Sequence, residues 1–206
     1  MTRSLVPAMA AMILLALPVS AETPGPALRD TAFVSCRDAQ AMSEEERKAL
    51  VLRIADAASR HYQSQVPDGE QPGEQMGWLI RSACTIAPEA YLSTVVARAV
   101  RVVGGGIEPP LRQPLDMNEA MFVSCSGAKG LPAEQRWEVG RYIGTEAAAH
   151  YRLTPGSGWT SNYVAALVHN ACMMYPDAYF LGIVARAVQA MSAYTDPSGQ
   201  PLSKTP

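Results

Sequence analysis

Phe33-Val34-Ser35-Cys36 and Phe122-Val123-Ser124-Cys125 are the same four residues written 89 positions apart, and this recurrence decides the fold. His61-Tyr62 returns as His150-Tyr151 at the same offset. After a one-residue gap in a loop, Ala83-Cys84 returns as Ala171-Cys172 and Pro88 as Pro176. Ala90-Tyr91 matches Ala178-Tyr179, and Val96-Ala97-Arg98-Ala99-Val100 matches Val184-Ala185-Arg186-Ala187-Val188. Over 32–63 and 76–103, 22 of 60 aligned positions are identical. Chance would give only a few. The chain holds a duplicated unit of roughly 75 residues, a period too long for a typical solenoid.

Each copy reads as helices. Ser43-Glu44-Glu45-Glu46 is a capping box that starts an acidic helix in the first copy. Leu50, Ile54, Ala57, Ala58 and His61 follow on one face. The second copy starts the same helix with Pro132 in its first turn and carries Val139, Ile143 and Ala147. A further helix is predicted from about Gln75 to Ala87, with Met76, Leu79, Ile80, Ala83 and Cys84 inward. Its counterpart uses Val164, Leu167, Val168, Ala171 and Cys172. Pro88 and Pro176 are expected to end those helices and open the last ones, with Glu89 and Asp177 near the positive helix starts. No stretch alternates with period two for long enough to be a strand.

The last helix of each copy is the most apolar. Leu92, Val95, Val96, Ala99 and Val100 line one; Phe180, Ile183, Val184, Ala187 and Val188 line the other. Gly104-Gly105-Gly106 and the proline-rich Glu108–Pro114 read as a linker.

The 206 residues carry 17 Lys+Arg against 19 Asp+Glu, with a pI near 5.9. A balance this even argues against a disordered polyelectrolyte and against a nucleic-acid binder. Arg3, the uncharged run Leu5–Val19 and the small residues Val19-Ser20-Ala21 read as a signal peptide, with Glu22 the expected mature start. A run of about 15 residues broken by Pro7 and Pro18 is short for a membrane span. The expectation is a protein exported through a signal peptide, without membrane insertion after its removal.

All four cysteines lie in the exported part, where an oxidising compartment favours disulfides. Four cysteines allow three pairings. Duplication favours Cys36–Cys84 and Cys125–Cys172, because each ancestral unit had to close alone. A loop of that size restrains the unfolded chain by about 4 kcal/mol in the chain-entropy model. No Cys-x-x-Cys, haem-attachment or zinc spacing is present, so neither cofactor nor metal is expected.

The predicted fold class is all-α: two tandem small four-helix domains, each closed by one disulfide. The predicted layout is a signal peptide at 1–21, an N-terminal extension at 22–31, a first helical domain at 32–103, a linker at 104–117, a second helical domain at 118–192 and a flexible C-terminal tail at 193–206.

Several features together resemble the HdeA/HdeB acid-stress chaperones. They are a cysteine opening a short helix, an acidic helix, a second cysteine about 48 residues on, and a Pro-Asp/Glu-Ala start to a final helix. The resemblance covers about 70 residues of each half. It implies a periplasmic protein of a Gram-negative bacterium whose Cys36/Cys84 and Cys125/Cys172 take the family's disulfide positions. It also implies partners that are partly unfolded periplasmic proteins, held without ATP on apolar helix faces once acid opens the fold. The candidate client-binding faces are then Leu92, Val95, Val96, Val100, Phe180, Ile183, Val184 and Val188. Two departures stand out. The chain ends lack the family's charged, often Lys-rich character, and the duplication lets the two copies pair within one chain, as an intramolecular pseudo-dimer that dilution cannot separate.

His61 and His150 recur near a helix end and are candidate pH-sensing residues, with Glu45 and Glu134; the blander role for the histidines is contact with terminal carbonyls. His169 replaces Arg81 and reads as a solvated position. Trp78, Trp137 and Trp159 read as core filling or copy-to-copy packing before binding surface. No nucleophile with its base, paired catalytic carboxylates or phosphate loop is found, so no catalytic residue is expected. Besides the chaperone, the pattern fits an inhibitor or immunity-type module that binds one folded partner, or an envelope structural subunit.

Overall fold

The computed structural model of the chain describes residues 28–65, 70–111, 115–153 and 162–192. The signal peptide read at 1–21, the tail at 193–206 and Trp159 lie outside them. Among the described residues the named elements are all helices. The first repeat holds α1 (Leu28–Thr31), α2 (Cys36–Ala41), α3 (Glu44–Tyr62), α4 (Glu70–Ile86) and α5 (Leu92–Gly104). The second holds α6 (Met117–Ala120), α7 (Cys125–Gly130), α8 (Ala133–His150), α9 (Asn162–Met174) and α10 (Phe180–Ser192). Each set of four expected helices is therefore preceded by one extra turn, α1 or α6, which lacks an apolar period long enough to announce it.

Side chains set the helix starts. Ser35 Oγ accepts from the Asp38 amide and Asp38 accepts from the Ser35 amide; Ser43 and Glu46 repeat the arrangement on α3. The long helices end alike. Gln63 (φ 51°) and Arg152 (φ 53°) turn left-handed, and the next amides reach back: Ser64 to the Ser59 carbonyl at 2.9 Å, Leu153 to the Ala148 carbonyl at 2.8 Å.

Three boundaries differ from the sequence reading. α4 starts at Glu70, not Gln75, because Pro72 falls in its first turn, where a missing N–H is no loss. Pro132 stands one residue before α8, as its N-cap. Pro88 and Pro176 end α4 and α9 but do not open α5 and α10, which begin at Leu92 and Phe180. The turn between is used elsewhere. The Pro88 and Ala90 carbonyls accept from the Arg37 and Cys36 amides at 2.9 and 2.8 Å, and the Leu92 amide donates to Val34 at 2.8 Å. Pro176, Ala178 and Phe180 do the same for Ser126, Cys125 and Val123. Two of the N–H groups that a helix start leaves unpaired are thus satisfied by the turn. Glu89 pairs instead with Arg37 at 2.5 Å on the surface.

The two disulfides, Cys36–Cys84 and Cys125–Cys172, each with Cα atoms 5.2 Å apart, pin α2 on α4 and α7 on α9. α5 packs against both α3 and α4, and α10 against both α8 and α9. The apolar last helix therefore forms the core of its repeat, with Ile54, Leu92, Val96 and Val100 buried in one and Ile143, Leu181, Val184 and Val188 in the other.

Candidate functional site: the seam between the repeats

The repeats meet through the residues that recur. The Phe33 ring lies 5.2 Å from the ring of His150 and 6.2 Å from that of Tyr151. Phe122 lies 5.4 Å from His61 and 6.2 Å from Tyr62. The Phe of each repeat is received by the His-Tyr pair of the other, which is the reciprocity of a two-fold contact. The candidate histidines therefore stand in this seam: His61 is half-buried and His150 is exposed.

Polar contacts close the seam unequally. Tyr62 donates its buried hydroxyl to the Phe122 carbonyl at 2.5 Å. On the other side the Tyr91 and Tyr151 hydroxyls share a hydrogen bond of 2.6 Å. Arg29 clasps Glu146 with two hydrogen bonds of 2.8 and 2.7 Å, and Arg186 donates to the Glu89 carbonyl while lying 5.9 Å from the centre of the Tyr91 ring. Burial pushes the Tyr62 phenol well above its ordinary range, reinforced by Tyr179; burial and the bond to Tyr151 do the same to Tyr91. Burial also raises Tyr179 and Tyr151.

The eight candidate client-binding residues divide between the two cores and the groove between the repeats. Leu92, Val96, Val100, Phe180, Val184 and Val188 are buried in the two cores. Val95 and Ile183 are half-buried and line one groove of about 470 Å³ between the repeats, with Tyr91, Tyr179, Arg98 and Arg186. Glu45 and Glu134 are exposed in the first turns of α3 and α8. The carboxylate held low there is the neighbouring Glu46, by hydrogen bonds from the Ser43 hydroxyl (2.6 Å) and amide (3.0 Å). His169 is exposed. Trp78 and Trp137 are not core fillers: they are 61% and 48% exposed.

The sequence reading missed one connector. In the second repeat Gly127 takes the place of Asp38, so α7 cannot form its own capping box. Glu108 from the linker supplies the carboxylate, accepting from the Ser124 amide at 2.7 Å and its hydroxyl at 2.5 Å. A Cβ at position 127 would collide with that carboxylate. Just upstream, Gly106 (φ 110°) lets the linker press on the end of α3, where a Cβ would meet the Tyr62 carbonyl at 2.7 Å. Ile107 then donates to that carbonyl at 3.2 Å. The only sequence hint was the glycine where its twin has an aspartate.

Among the described residues no helix is long and apolar enough to cross a membrane, and no group of three or more His, Cys, Asp or Glu is placed to hold a metal ion. No protein-family model, curated protein or solved structure matches the chain.

Proposed function

We propose that the chain is a periplasmic acid-stress chaperone-like protein that binds partly unfolded clients without ATP. The observation that carries this reading is where the carboxylates act. Asp38 and Glu46 cap α2 and α3, Glu108 ties the linker to α7, and Glu146 clasps Arg29 across the seam. Of these, Glu46 is held below the ordinary carboxylate range by the Ser43 hydroxyl and amide, and its protonation removes that charge-assisted strength. Without Arg3 the exported part carries 16 basic residues and 3 His, so strong acid would leave a charge of about +19 to push the repeats apart. Val95 of α5 and Ile183 of α10 already face the groove between the repeats, and the rest of both apolar faces is uncovered once each core loosens. The disulfides keep α2 on α4 and α7 on α9 during such an opening, and the linker keeps the repeats together for reclosure.

The test is light scattering of a denaturing client at about pH 2–3 and at pH 7, with near-UV circular dichroism on the same samples. Suppression in acid alone, with loss of the near-UV signal, is the expected result. No suppression at either pH, with the native spectrum intact in acid, would sink the reading and leave the single-partner module.

A further inference from the structure

The second repeat contains a groove of about 650 Å³ between α8 and α9. Phe180 and Val184 of α10 form its floor, Val168 lines one side, and Trp137 and Met173 stand at its edge. Its volume falls within the range of about 300–1,000 Å³ typical of small-molecule sites. The two repeats differ in sequence along this stretch of α8. Trp137 stands where the first repeat has Lys48, Gly140 where it has Val51, and Arg141 where it has Leu52. A Cβ on Gly140 would lie 3.6 Å from the Phe180 ring, so any larger side chain there would extend over the floor. A glycine inside a helix sacrifices about 1 kcal/mol relative to alanine, and at this position it leaves the floor uncovered.

The rim has one sign. Lys129, Arg136 and Arg141 contribute to the lining, His169 adds a polar group, and no carboxylate is among the lining residues. None of these three cations forms a salt bridge with a described residue. An apolar trough with an unneutralised basic rim is complementary to an anion joined to an apolar tail. A peptide is a poorer match. A helix about 10 Å across fills roughly 400 Å³ per turn, so the groove would hold little more than one turn. An extended peptide would leave backbone groups facing an apolar floor, which is costly. An acyl chain has no such groups.

We propose that this groove binds a single-chain anionic amphiphile of the fatty-acid class, its chain over Phe180 and Val184 and its carboxylate among Lys129, Arg136 and Arg141. The probe is dodecanoate, kept below its critical micelle concentration at pH 7.5, titrated calorimetrically into the full exported chain, with dodecanol and dodecylammonium as controls. Saturable one-to-one binding is expected for the carboxylate, at least tenfold weaker for either control. Each pair of methylenes should change affinity by roughly tenfold until the groove is full. Gly140→Val should abolish binding, and Arg136→Ala with Arg141→Ala should weaken it at least tenfold while the far-UV spectrum is unchanged. If Gly140→Val fails to fold, the rim variant alone decides. No saturable binding, equal binding of the three probes, or carboxylate binding that folded variants leave unchanged would overturn the proposal. Tighter capture of an acidic apolar peptide than of dodecanoate would also overturn it.

Discussion

Glu108 shows how far a single side chain acts in this molecule. It joins the linker to α7 by replacing the aspartate that the second repeat lacks. Glu108→Ala should cost about 1 kcal/mol, the usual worth of an N-cap acceptor. Gly127→Asp should also destabilise, because the new side chain meets the Glu108 carboxylate. Combined, the two should recover most of the loss, since the introduced aspartate can then act as Asp38 does beside Ser35. Urea midpoints of the four proteins measure this cycle; simple additivity would contradict it. Tyr62→Phe should cost about 1–3 kcal/mol by leaving the buried Phe122 carbonyl without its donor. Its raised pKa adds a pH dependence. The unfolded phenol loses its proton near pH 10 while the folded one keeps it, so this stability is complete below about pH 10 and lost as pH rises further. Thermal melts from pH 8 upward should show a shallower alkaline decline in the phenylalanine variant.

At the scale of elements, what was legible is what repeats or what a short local motif carries. The Cys-to-Cys spacing, the Ser43–Glu46 box and the apolar period of α5 and α10 each depend on neighbours in sequence, and the structure has them. What was not legible depends on neighbours in space. The late start of α5 follows from the Pro88 and Ala90 carbonyls being engaged by α2, a contact that no window of sequence around Pro88 contains. Likewise Trp137 was read as packing. In the structure it is 48% exposed and lines the groove between α8 and α9, a placement that depends on how those helices sit against α10. The disulfide staple gives this scale its prediction. Cys36→Ser with Cys84→Ser should lower stability by about 2–5 kcal/mol and release α2 from α4. Denaturant unfolding checks it, and an unchanged midpoint would contradict the staple.

For the whole molecule, the recurrence of Phe33 and Phe122 marked a duplication but not the reciprocal seam, because an alignment of two copies does not say how they dock. The seam makes the two repeats one unit whose acid response can be reasoned from its groups. Glu46 titrates below its unfolded value, so its contribution is complete above the ordinary carboxylate range and disappears as pH falls through the folded value. Stability should therefore drop on the acid side as Glu46 is protonated, and on the alkaline side as the seam phenols ionise in the unfolded chain. The most direct test of acid opening is amide hydrogen exchange at about pH 2–3 and at pH 7, corrected for intrinsic rates, with client holding assayed on the same protein. α5 and α10 should lose protection in acid as client binding appears, and regain it on neutralisation. Clients held in acid while both helices stay as protected as at neutral pH would contradict acid opening.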